Sequence, residues 1–166
     1  MQSSEKRKII ALILLFATLL TLVWIFGNSL RNGEQSSAQS NRFLKLIRPF
    51  AERALELFGI KPSEQNLSHY VRKAAHFSEY ALFGFLLTCS LRLLWYPDRK
   101  KVLFVFPICL LCAAADETIQ SFTPGRAASA ADVLLDFCGA VFGIGCACLL
   151  LLLLSAILKK KNGNMG

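Results

Sequence analysis

The sequence predicts an all-α, polytopic membrane protein with four transmembrane helices and an amphipathic interfacial helix between spans 1 and 2. Three observations carry that expectation. Hydrophobic residues make up 54% of the chain and are gathered into blocks of spanning length. Basic triplets abut those blocks, as membrane-flanking anchors do. The acids that fall within the blocks are few, and most lie near block ends.

Span 1 covers about 9–27. Ile9–Gly27 carries no charge and approaches the roughly 20 residues a helix needs to cross the hydrocarbon core. Lys6, Arg7 and Lys8 before it resemble the positive region of a secretory signal. The block is longer than the roughly 7–15 apolar residues of such a signal, however, and no small-residue cleavage site follows. A retained helix is therefore expected. In the 28–73 connection, Phe43, Ile47, Phe50, Ala54, Leu57 and Phe58 recur at helical spacing between about 40 and 59. Arg42, Lys45, Arg48, Glu52, Arg53 and Glu56 fill the opposite face, which suits a helix lying in the membrane interface. An ordinary helix packed on the bundle fits the same pattern, and Pro49 would bend either one.

Span 2 is placed at about 74–96 and is apolar apart from His76, Glu79 and Arg92. Span 3, at about 102–121, ends in Asp116, Glu117 and Gln120. Thr123-Pro124-Gly125-Arg126 follows, and Pro then Gly at the two central positions suits a type II turn. Span 4, at about 133–158, carries Asp136 as its one charge. Residues 1–166 read as a single membrane domain.

The net charge of +8 is not that of a nucleic-acid binder, because the basic residues cluster beside apolar blocks. Attraction to anionic lipid accounts for them. The N-terminus, the 92–101 region and the C-terminus together hold ten basic residues, against Arg126 alone in the 123–132 turn. Cytoplasmic N- and C-termini follow from the positive-inside rule. The 28–73 connection, with eight basic and four acidic residues, counts against this in part. The six cysteines lie in apolar blocks and read as small packing residues. Cys109-x-x-Cys112 has redox or zinc spacing but no second pair or nearby histidine.

With this topology the polar residues of three spans meet at one depth. Arg72, His76 and Glu79 share a helix face at spacing i, i+4, i+7, with Lys73 beside them. Asp116, Glu117 and Gln120 end span 3, and Asp132 and Asp136 begin span 4 one turn apart. Carboxylates in membrane helices are costly and mark functional sites. Each residue also has a plainer use. Asp132 suits a helix N-terminus, Arg72 and Lys73 suit head-group anchors, and His76 suits an internal hydrogen bond.

The residues 72–84, beginning Arg72-Lys73-Ala74-Ala75-His76 and containing Glu79, resemble the VanZ-like family of bacterial membrane proteins. So do the residues from Asp116 to Arg126 and from Asp132 to Ala140. The resemblance covers the chain from about residue 70 onward. Asp136 departs from the asparagine expected in many relatives and adds an acid to an acidic cluster. The resemblance implies four spans in the bacterial cytoplasmic membrane. It also brings a link to lowered susceptibility to the lipoglycopeptide teicoplanin, since that is what the family's namesake confers.

Three functions compete. The first is an outer-leaflet site that binds or modifies a lipid head group or lipid-linked cell-wall precursor. Arg72, Lys73 and Arg126 would hold phosphate there; Gln120, Asp132 and Asp136 would complete the ligand site. The second is an embedded acid–base or metal-assisted hydrolase, with His76, Glu79, Asp116 and Glu117 as candidate acid or base groups and His76 alternatively a metal ligand. The third is a proton-linked transporter component, which the apolar cytoplasmic halves of the spans disfavour. The sequence lacks the His-Glu-x-x-His pattern of zinc peptidases, and no metal or cofactor is expected from it. Whether the protein is an enzyme stays open.

Overall fold

The computed structural model describes residues 2–36, 38, 41–42, 44–45, 48, 53, 64–95 and 100–163. The described residues form no strand. Among the described residues four long helices run in order: α1 (Gln2–Ser29), α2 (Glu64–Leu94), α3 (Val105–Ser121) and α4 (Ala130–Gly163). A 3₁₀ turn, Lys100–Phe104, leads into α3. Stretches of all four, Ser4–Ser29, Leu67–Leu94, Lys100–Ser121 and Ala130–Ile157, are long and apolar enough to cross a membrane. Of the amphipathic segment, Asn41, Arg42, Leu44, Lys45, Arg48 and Arg53 are helical, with Leu44 buried. The rest of that segment lies outside the described residues.

Local chemistry explains the boundaries. Pro107 falls in the first turn of α3, where its missing N–H would have had no intrahelical partner. The turn between α3 and α4 closes with the Arg126 N–H donating to the Thr123 carbonyl at 3.2 Å. Gly125 supplies the positive φ of 76° that the third position of a type II turn requires. α4 starts where the Ser129 carbonyl accepts from the Asp132 and Val133 amides at 3.0 and 3.2 Å. Asp132 in its first turn complements the helix dipole. One boundary differs from expectation. Helix α2 begins at Glu64, well before residue 74, and its apolar stretch at Leu67. Arg72 and Lys73 therefore sit inside a spanning helix, which is possible because they line a cavity between helices.

α2 is the hub of the bundle, packing most extensively against α4 and next against α1. Backbone-to-backbone approach makes the α2–α4 contact close. A Cβ on Gly84 would strike the Ala140 backbone, one on Gly139 the Phe77 backbone, and one on Gly143 the Ala81 backbone. Gly139 and Gly143 form a small-xxx-small stripe of the kind that lets membrane helices approach. The core beside this seam contains Tyr80, Phe83, Leu87, Val105, Cys109 and Ile144. Hydroxyls within the spans are satisfied on the preceding turn: Thr18 on Leu14, Thr88 on Gly84 and Ser90 on Leu87. Large apolar side chains such as Phe16, Val23, Leu111 and Leu134 point outward. Where water is the solvent that would be anomalous, whereas in lipid it is required.

Candidate functional site

The C-terminal end of α1, the first half of α2, the end of α3 and the start of α4 meet at one end of the bundle. A hydrogen bond from the Gly33 amide to the Pro124 carbonyl, at 3.1 Å, fastens the chain after α1 onto the α3–α4 turn. The backbones touch there, since a Cβ on Gly33 would lie 2.6 Å from the Gly125 carbonyl oxygen. Beneath the turn is a cavity of about 240 Å³. Its polar lining comprises Arg72, Lys73, His76, Glu117, Gln120, Arg126, Asp132 and Asp136. The sequence-predicted residues of three helices are thus largely brought together.

The cations and acids of this cavity are unevenly matched. Lys73 Nζ pairs with Asp132 Oδ1 at 3.1 Å, both half-exposed at the mouth. Arg72 Nη2 lies 3.4 Å from the Nδ1 of His69. Arg126 reaches over the cavity from the turn with Nε and Nη1 buried and without a hydrogen-bond partner among the described residues. Burial, and the neighbouring Arg72 guanidinium, push the Arg126 pKa downward, while Asp116 and Glu117 oppose that shift. An anion in the cavity would oppose that shift by its charge.

Deeper in, the acids take separate tasks. Glu117 is almost fully buried, and its Oε1 accepts from the Ser129 amide at 2.6 Å, which ties the end of α3 to the start of α4. Its Oε2 has no partner among the described residues. Asp116 is fully buried, with Oδ2 accepting from Gln120 Nε2 at 3.1 Å. Gln120 also reaches Ser29 Oγ, at 3.3 Å, on α1. Asp136, 1% exposed, faces His76, with Oδ1 4.0 Å from the imidazole Nδ1.

Glu79 sits elsewhere. Its Oε1 accepts from Trp24 Nε1 at 3.1 Å and Asn28 Nδ2 at 2.8 Å, both on α1, and it does not line the cavity. The sequence reading missed Trp24, Asn28 and Ser29 as its partners and those of Gln120. Asn28 and Ser29, polar residues at the end of an apolar block, were the available signal. Tyr80 was also missed. It is buried at the centre of the bundle, and its hydroxyl donates to the Cys112 carbonyl at 3.2 Å.

Four spanning-length helices enclosing a charged cavity at one end define a polytopic helical membrane protein with a ligand-sized polar site. The VanZ/LLP1 family model matches residues 10–153, and the chain belongs to that family. The match takes in span 1 and the 28–69 connection, beyond the motifs from residue 70 onward. No curated protein and no solved structure gives a significant match.

Proposed function

We propose that the cavity binds the anionic head group of a membrane lipid or lipid-linked cell-wall precursor at the outer leaflet. The observation that carries this reading is Arg126, whose buried Nε and Nη1 stand over the cavity without a hydrogen-bond partner among the described residues, while Arg72 and Lys73 line the same wall. A guanidinium is the side chain best matched to phosphate, through paired charge-assisted hydrogen bonds. A cavity of about 240 Å³ suits a phosphate-bearing head group and leaves the acyl chains in lipid. With the termini cytoplasmic, the cavity faces the outer leaflet, where lipoglycopeptides act. Sequestering or altering a surface precursor would then lower susceptibility to teicoplanin.

Native mass spectrometry of the full-length protein tests this, with phosphatidylglycerol or a polyprenyl pyrophosphate as the probe and phosphatidylcholine as the neutral control. Retention of the anionic probe is expected to fall about 10-fold or more in Arg126→Ala, as loss of a hydrogen bond to a charged group implies. Retention unchanged in both Arg126→Ala and Arg72→Ala sinks the reading.

A second reading, acid–base hydrolysis, draws on one observation. His76, Glu117 and Asp136 line the same cavity as the cations that would hold a phosphate. Turnover of a bound ester, abolished by His76→Ala with binding retained, would distinguish it from binding alone.

A further inference from the structure

We propose that His76, Asp116 and Asp136 form a binding site for one divalent transition-metal ion. The three residues come from α2, α3 and α4, and they offer ligand atoms that all lie within 4.8 Å of one another. His76 Nδ1, Asp116 Oδ1 and Asp136 Oδ1 are each buried and without a hydrogen-bond partner among the described residues. Asp116 is fully buried and Asp136 is 1% exposed. An unpaired buried carboxylate costs several kcal/mol. Here two face one imidazole.

The nearby groups offset that cost at Asp116 only in part, through the Arg126 charge and the Ser29 and Tyr80 hydroxyls. Lys73 is committed to Asp132 at 3.1 Å, and Gln120 gives Asp116 only a neutral hydrogen bond. A 2+ ion balances two carboxylates, with a neutral imidazole as the third ligand. Bonds of about 2.0–2.2 Å put cis ligand atoms about 3 Å apart, so the cluster closes by roughly 1–2 Å around an ion. Gln120 donates to Asp116 Oδ2 at 3.1 Å and so turns Oδ1 toward the cluster, as outer-shell partners of metal ligands do.

The donor set selects the ion class. One imidazole nitrogen and two carboxylate oxygens suit Zn²⁺, Mn²⁺ or Fe²⁺, whereas Ca²⁺ takes six or more oxygens. His76 and Asp136 line the cavity, so the remaining coordination positions of the ion open into it. The site does not depend on the head-group reading, because none of its three ligands is among the cations assigned to the anion.

Titration of the full-length, chelator-stripped protein with Co²⁺ tests the site, using a purification tag without histidine. One ion per chain is expected, with visible ligand-field bands, displacement by Zn²⁺ and no thiolate charge-transfer band. His76→Ala, Asp116→Asn and Asp136→Asn should each weaken binding at least about 10-fold, and Gln120→Ala about 10-fold. His69→Ala, at the other histidine, should bind as the parent does. Absence of Co²⁺ and Zn²⁺ binding by the parent protein overturns the proposal, whatever the folding of the variants. So does a thiolate band, or parent-like affinity in all three ligand variants. Metal binding retained while anionic lipid is not retained would sink the head-group reading alone.

Discussion

Asn28 Nδ2 donates to Glu79 Oε1 at 2.8 Å, joining the end of α1 to the second turn of the polar face on α2. Trp24 adds a second donor to the same oxygen at 3.1 Å. Glu79 is therefore a fastener between helices, set apart from the cavity that His76 and Asp136 line. A double-mutant cycle on unfolding in detergent should give Asn28→Ala and Glu79→Ala a coupling of about 0.6–2 kcal/mol, the range for hydrogen bonds between membrane helices. Strict additivity of the two changes would contradict the bond.

Gly143 has no room for a side chain, because a Cβ would strike the Ala81 backbone and approach the Phe85 nitrogen to 2.9 Å. Gly143→Ala should destabilise by about 1–3 kcal/mol, as overpacking does. Gly145 has nothing within 4 Å, so Gly145→Ala should be neutral or gain up to about 1 kcal/mol of helix propensity. Thermal unfolding of the two variants side by side checks the contrast.

The α3–α4 turn makes a separate prediction. Gly125→Ala places a side chain at φ 76°, at a cost of about 1–2 kcal/mol. Arg126 would then be carried on a distorted turn. Retention of anionic lipid should fall in Gly125→Ala even though no charge has changed, and unchanged retention would mean the turn does not position Arg126.

Orientation can be read with single cysteines in a cysteine-free background. Ala128, exposed in the α3–α4 turn, and Lys160, exposed near the end of α4, lie at opposite ends of the bundle. Ala128→Cys is expected to react with an impermeant maleimide on intact cells, and Lys160→Cys only after permeabilisation. The reverse pattern would place the cavity on the cytoplasmic side and exclude an outer-leaflet ligand.

Much of this was legible in the sequence. The four spans followed from apolar block length, and the Pro124-Gly125 turn from its two diagnostic residues. The gathering of Arg72, His76, Glu117, Gln120, Asp132 and Asp136 followed from helical spacing combined with alternating span direction. Which way each helix faces did not follow. Spacing puts Glu79 on one face with His76, yet the rotation of α2 against α1 gives Glu79 to Trp24 and Asn28, more than fifty residues earlier in the chain. The helical start of α2 at Glu64, ahead of the apolar block from 74, did not follow either, because block length reports the apolar stretch and not the helix around it. The Gly139–Gly143 stripe was readable as close packing, but its partner on α2 was not, since any small face would have satisfied it.

The Glu79 fastener also bears on how the chain enters the membrane. α2 is the least apolar of the four spans, and its main packing partner, α4, is the last to be synthesised. When α2 leaves the ribosome, α1 is already made and α3 and α4 are not. Trp24 and Asn28 are then available to Glu79 ahead of α3 and α4. The same two hydrogen bonds give the Glu79 carboxylate donors on α1 that do not depend on α3 or α4 being in place.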